Sequence, residues 1–159
     1  MERGHEAREK RVIKIVSYTA EYADACVDIY YRMFTAPEWN FTWLTKENAR
    51  RYFNDLSAAP RFLGFVCLHG GRAAGCCFGE ISDYFSSVQY TIKEIFIDPA
   101  LQGKGYGSAF LTEIETDLKN RGVENIILST SKGIKAFGFY QKNGFAVSPE
   151  TVFLVKFLQ

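Results

Sequence analysis

Only two histidines, His5 and His69, and four cysteines occur in the chain, and no Cys-x-x-Cys pair is among them. This scarcity excludes a zinc site built on the usual ligand spacing, so no metal is expected. Nor do Cys26, Cys67, Cys76 and Cys77 form a disulfide framework. Cys76 and Cys77 are adjacent on a predicted strand and point to opposite faces, among small apolar neighbours that suit buried thiols. None has an adjacent histidine to activate it as a nucleophile. Charge of one sign is also lacking: the net charge is +1, so the overall balance points to no nucleic acid and no membrane surface. No apolar run approaches the length of a membrane span, and the opening MERGHEAREKR is too polar for a signal peptide. A cytoplasmic, reducing setting is the resulting expectation. Repeats, low-complexity tracts and inter-domain linkers are absent as well.

What is present is a chain of 159 residues rich in rings, with 14 Phe and 9 Tyr, in the size range of one domain with its own core. Residues 1–11, with Arg8, Lys10 and Arg11, read as a polar, flexible tail, and 12–159 as one mixed α/β domain. A strand is expected over 12–16. A helix over 21–34 comes next, with Thr19 as cap, and then a second helix over 45–56. Pro37 ends the first of these, so Thr35 to Trp43 is a loop carrying two large rings. Strands over 62–68 and 73–81 flank His69-Gly-Gly-Arg72, a good hairpin turn, and a long strand over 88–97 ends at Asp98-Pro99. Phe110, Leu111, Ile114 and Leu118 recur at helical spacing in a segment from 104 or 105 to 121, closed by Gly122. A strand over 125–129, a short helix over 134–142, and a pair of strands from Gly144 to Phe157 complete the order.

The chemistry concentrates in Glu94-Ile-Phe-Ile-Asp-Pro-Ala-Leu-Gln-Gly-Lys-Gly-Tyr-Gly-Ser108. An apolar strand stops at a proline, and a short polar loop enters a helix through glycines at 103, 105 and 107. Amides without Cβ shielding approach a ligand closely, and a first helical turn has N–H groups without intrahelical partners. With the helix dipole these groups make a phosphate or diphosphate site, to which Lys104 adds a mobile charge. The segment is neither the nucleotide loop GxxxxGK[ST] nor the dinucleotide pattern GxGxxG.

Gln102-Gly-Lys-Gly-Tyr-Gly107 resembles the [Gln/Arg]-x-x-Gly-x-[Gly/Ala] signature of the GCN5-related N-acetyltransferases (GNAT). Ala136-Phe-Gly-Phe-Tyr-Gln-Lys-Asn-Gly-Phe145 is similar to a second segment of that family, and the likeness spans roughly residues 12 to 157. It implies a single-domain acyl-CoA N-acyltransferase fold: a mixed, mostly antiparallel central sheet flanked by helices. It implies acetyl-CoA as co-substrate, with Ile95, Phe96 and Ile97 pairing through the backbone with the pantetheine arm. Gln102, Gly103, Lys104, Gly105, Tyr106, Gly107 and Ser108 would hold the diphosphate. The strand before the loop would splay from the one at 125–129, and Tyr140 would protonate the departing thiolate. Gly133 and Leu128 stand where some relatives carry Asn and Glu, which argues away from protein N-termini as acceptors.

Transfer to an amine needs a proton acceptor, because an ammonium has no lone pair. Glu94 is the first candidate, Glu80 the second and Asp83 the third. A backbone N–H of Ile95 or Phe96 is the candidate donor to the carbonyl oxygen. In such a fold the region from Tyr30 to Phe53 covers the acceptor side. There Trp39 and Trp43, with Tyr84 from the strand hairpin, are candidate substrate-binding rings; a hydrophobic cluster anchoring the loop is the competing reading. The leading expectation is an N-acetyltransferase for a primary amine of a small molecule. Its alternatives are a protein N-terminal or lysine acetyltransferase, and a non-catalytic acyl-CoA sensor or interaction domain. The apolar segment from Thr151 to Phe157 suggests a sheet edge that pairs across a homodimer.

Overall fold

A computed structural model describes residues 12–158; the tail expected at 1–11 lies outside them. The chain divides into two compact units, Met1–Leu128 and Ser129–Gln159. The first holds a five-stranded sheet in sequence order: β1 (Ile13–Ser17), β2 (Phe62–His69), β3 (Arg72–Tyr84), β4 (Ser87–Ile97) and β5 (Asn125–Ile127). The first three pairings are antiparallel and β4 pairs with β5 in parallel. Its helices are α1 (Ala23–Phe34), α2 (Lys46–Ser57) and α3 (Tyr106–Asn120).

Each boundary has a local cause. Gly70 and Gly71 take positive φ at the β2–β3 turn, a conformation that costs glycine nothing. Thr45 caps α2 in a full capping box: its side chain accepts from the Asn48 N–H, and the Asn48 side chain accepts from the Thr45 N–H. Thr19, in contrast, makes no side-chain cap bond, because a 3₁₀ turn over Ala20–Tyr22 comes before α1. Gly122, at φ 79°, ends α3 as its place in the sequence predicts.

Adjacent strand residues face opposite ways, so the sheet sorts two cores. Val66, Cys76, Phe78 and Phe96 pack with Cys26, Val27, Tyr30, Met33, Ala49 and Phe53 of α1 and α2. Phe65, Cys67, Cys77 and Tyr90 turn to the other face, and Phe110, Leu111, Ile114 and Leu118 of α3 are fully buried. All four cysteines are free and buried, and burial pushes the Cys67 and Cys77 thiols up to about 12. Buried, and unpaired with any histidine among the described residues, all four are packing groups.

The second unit contains α4 (Lys135–Lys142), entered from Ile134. Beyond Gly144 the expected pair of strands does not form: residues 145–158 carry no strand. Val152, Phe153, Leu154 and Val155 have the composition of a strand, yet no neighbouring strand takes up their backbone groups, and composition alone does not make a ladder. The sheet edge expected over Thr151 to Phe157 is therefore absent from the single chain. Among the described residues no helix is long and apolar enough to cross a membrane.

Candidate active site

The parallel contact between β4 and β5 is short. Gln89, Tyr90 and Thr91 face Asn125, Ile126 and Ile127, and no later residue of β4 has a β5 partner. From Ile92 to Ile97 one edge of β4 thus has no neighbouring strand among the described residues, while the other edge stays paired with β3 through Gly75 to Gly79. Ile95, Phe96 and Ile97 lie on this open stretch.

A bulge sits at its start. Gly79 faces Ile92 but Phe78 faces Glu94, so Lys93 is the extra residue. Tyr90 and Ile92 lie on the α3 side of the sheet, and simple alternation would send Glu94 there too. The inserted residue reverses the alternation, and Glu94 joins Phe78 and Phe96 on the side of α1 and α2. Tyr52 of α2 donates its hydroxyl to Glu94 Oε1 at 3.0 Å. Burial raises the Glu94 carboxyl from 4.5 to about 7, and the Tyr52 hydrogen bond pulls partly the other way. The phenols of Tyr52 and Tyr30 are in turn raised, first by burial and then by the charge of Glu94. Glu94 is consequently a half-buried carboxyl that changes charge near neutrality.

The other candidate carboxylates are differently placed. Glu80 shares the face of Glu94, two positions along β3 from Phe78, and pairs with Lys93 at 3.7 Å. Asp83 lies near the end of the hairpin, 3.8 Å from Arg61 and largely exposed. Tyr84 is six residues along β3 from Phe78, about 20 Å at strand rise. It packs edge-on against Phe85, 59% exposed, and is not brought together with Glu94.

After β4, Asp98 caps a 3₁₀ turn over Pro99–Leu101 by accepting from the Ala100 N–H. The Gln102 amide donates back to the Ile97 carbonyl at 3.1 Å, folding the loop over the strand end. Gly103 and Gly105 then adopt φ values of 72° and 85°, and Gly105 is the N-cap of α3 with no side-chain cap bond. Where a serine or aspartate would occupy the first N–H groups of a helix, this start leaves them to a ligand. Lys104 does not stand free at the rim; its ammonium donates to the Ala100 carbonyl at 2.8 Å. Tyr106 turns inward, its hydroxyl 3.2 Å from His69 Nε2. Gly107 and Ser108 lie in the first turn of α3. An open strand edge running into left-handed glycines and an uncapped helix start fits an extended arm joined to a diphosphate.

The loop between α1 and α2 resolves into a ring cluster. Phe34 stacks on Phe41 (5.2 Å) and Phe41 on Trp43 (5.4 Å), while Trp39 meets both phenylalanines edge-on. Trp39 is thereby an anchor of the loop, whereas Trp43 is 67% exposed and keeps a face toward water. In the second unit, Tyr140 packs edge-on between Phe139 and Phe145, at 5.4 and 5.5 Å.

Two contacts escape a reading of the sequence. Tyr52 reads there only as another ring, because its partnership with Glu94 depends on the bulge. Arg32 carries no signal at all, yet it forks onto Asp98 through Nη1 and Nη2 at 3.1 and 2.8 Å.

Several known proteins are similar to this chain. An uncharacterised N-acetyltransferase of Methanocaldococcus jannaschii is 30% identical over 137 residues, 82% of this chain and 59% of that protein. The chain spans about half the length of the curated relatives it matches. Among solved structures, a possible acetyltransferase from Clostridium difficile 630 superposes with a TM-score of 0.75 at 14% identity, covering 93% of this chain and 99% of that one. An aminoglycoside acetyltransferase from an uncultured soil metagenomic sample, in complex with sisomicin, gives 0.68 at 16% identity over 92% and 97%. Those likenesses show a shared fold. Residues 23–145, which include the open strand, the glycine loop and Tyr140, match the acetyltransferase (GNAT) family, and the chain belongs to it.

Proposed function

We propose that this chain transfers the acetyl group of acetyl-CoA directly to a primary amine of a small molecule. The observation that carries the proposal is the continuity of β4: one strand presents a half-buried carboxyl at Glu94, an open edge from Ile95 to Ile97, and then the glycine loop with its uncapped helix start. Acceptor amine, thioester arm and diphosphate each find a matching element in that order. An alkylamine with a pKa of about 10.4 arrives protonated, so attack requires a proton acceptor. Glu94 takes that role when ionised, in a setting where burial brings its affinity for the proton into the working range. Glu80, tied to Lys93, is the reserve acceptor. A backbone N–H of Ile95 or Phe96 donates to the carbonyl oxygen as it gathers charge. The likeness of residues 136–145 to the family's second segment assigns the return of a proton to the thiolate to Tyr140.

The aminoglycoside acetyltransferase in complex with sisomicin supports a small-molecule acceptor. Glu80 and Glu94 supply acidic groups for a cationic amine, and the open face of Trp43 supplies a ring.

The test is a coenzyme-A release assay over polyamines, aminoglycosides, amino acids and N-terminal peptides. Turnover with one of the small amines is the expected result. Turnover confined to peptides would transfer the reading to a protein acetyltransferase. Tight acetyl-CoA binding with no acceptor across the panel, and none for a lysine-containing peptide, would leave a coenzyme-binding module instead.

A further inference from the structure

We propose that Arg32 is a positioning residue for the diphosphate loop, acting through Asp98 from the helix on the acceptor side. The inference rests on the acetyl-CoA reading of residues 103–108 and extends it to a residue outside any motif. Arg32 lies in the last turn of α1, and both of its terminal nitrogens donate to the two carboxylate oxygens of Asp98. The same Oδ1 of Asp98 that receives Nη1 also accepts from the Ala100 N–H, so one carboxylate ties α1 to the turn that launches the loop. The next residue on α1 makes a second tie: Gln102 Nε2 lies 3.5 Å from Met33 Sδ while donating to the Ile97 carbonyl. Asp98 and Gln102, at the two ends of the turn, are thus both tied to α1 before the chain reaches Gly103.

That restraint matters because the glycine stretch has none of its own. Gly103 and Gly105 have positive φ, where glycine is permissive rather than directing, and no side chain caps α3. The direction in which the loop enters α3 is therefore set upstream. A planar fork on a carboxylate fixes angle as well as distance, which a lysine at the same position does not. Arg32 is half exposed, its side chain at 52%, and Asp98 sits deeper at 20%. The arginine end of the pair is open to water and screening, so loop geometry and fold stability are read separately, by following both in the same variants.

The measurement is acetyl-CoA affinity by isothermal titration calorimetry at fixed ionic strength, on the wild type, Arg32→Lys, Arg32→Gln, Asp98→Asn and the double variant. Asp98→Asn retains an oxygen for the Ala100 N–H and loses only the charged fork. Arg32→Gln and Asp98→Asn should each weaken binding about 3- to 10-fold, with Arg32→Lys between them and the wild type. The double variant should be no weaker than either single one, because all three lose one contact. Thermal midpoints without ligand should stay within about 4 °C of each other. Wild-type affinity in Arg32→Gln, or losses that multiply in the double variant, would overturn the proposal while leaving the acetyl-CoA reading in place. A wild type that does not bind acetyl-CoA would overturn both.

Discussion

Glu94 owes its chemistry to where the Lys93 bulge sends it. On the α1–α2 side it is surrounded by Phe78, Phe96, Tyr30 and Tyr52, and the uncharged form is favoured up to about pH 7. The folded protein therefore keeps a proton that the unfolded chain releases near 4.5. Stability from that protonated side chain is fully present below the lower value and is lost as pH rises through about 7. Glu94→Gln, neutral at every pH, should melt at a higher temperature than the wild type at pH 8 and at nearly the same temperature at pH 4, read by circular dichroism. Its kcat/KM at pH 8 should fall by about 10²-fold or more, the usual yield of a positioned base. Tyr52→Phe removes the hydroxyl that favours the ionised form, so Glu94 should titrate higher. The rising limb of the wild-type kcat/KM profile, centred near pH 7, should move to higher pH in that variant while the alkaline plateau is kept. A limb that stays in place would show that Glu94 is not the group being titrated.

At the scale of elements, the sheet depends on one ring laid across one glycine. Tyr90 of β4 passes over Gly79 of β3 and donates its hydroxyl to the Leu63 carbonyl on β2 at 2.8 Å, stapling three strands next to the bulge. A Cβ at Gly79 would meet the Tyr90 ring at 2.4 Å and the Thr91 carbonyl at 2.6 Å, and backbone does not yield cheaply. Gly79→Ala should lower stability to urea by about 1–3 kcal/mol, as overpacking does. By comparison Thr45→Ala, which removes one half of a capping box on an exposed helix end, should cost about 1 kcal/mol. Most elements are legible in the sequence because their signals are local. Hydrophobic period marks α3, Pro37 ends α1, Gly122 ends α3, and Gly103 to Gly107 mark the loop. The bulge is not legible, since Lys93 looks like any polar residue on a strand, and it alone decides which face receives Glu94. The Arg32–Asp98 fork joins residues 66 apart in sequence, beyond the reach of any local pattern. Strand length is equally hidden: β3 runs on to Tyr84, six residues past the Phe78 that faces Glu94.

For the whole molecule, the apolar residues near the end of the chain pose a problem of balance. Val152, Phe153, Leu154, Val155, Phe157 and Leu158 are each 60–88% exposed, with Lys156 the only charge among them. Apolar surface left in water forgoes roughly 25 cal/mol for every Å² that burial would remove. Strand-like composition without a strand partner is the pattern that pairs between chains. Two copies meeting about a two-fold axis would let the same segment serve as both donor and acceptor of backbone hydrogen bonds, because such an interface is self-complementary. The homodimer is accordingly part of the proposal for this protein, with residues 151–158 as its contact. Light scattering after size exclusion should give twice the 18.1 kDa chain mass for the wild type at micromolar concentration. Phe153→Asp combined with Leu154→Lys, which adds opposite charges and keeps the net charge unchanged, should return the mass to one chain with α-helical content intact. A wild type that runs as one chain over the same concentrations would remove the contact and leave the chemistry at Glu94 untouched, since every group argued to act there except Tyr140 lies in the first unit.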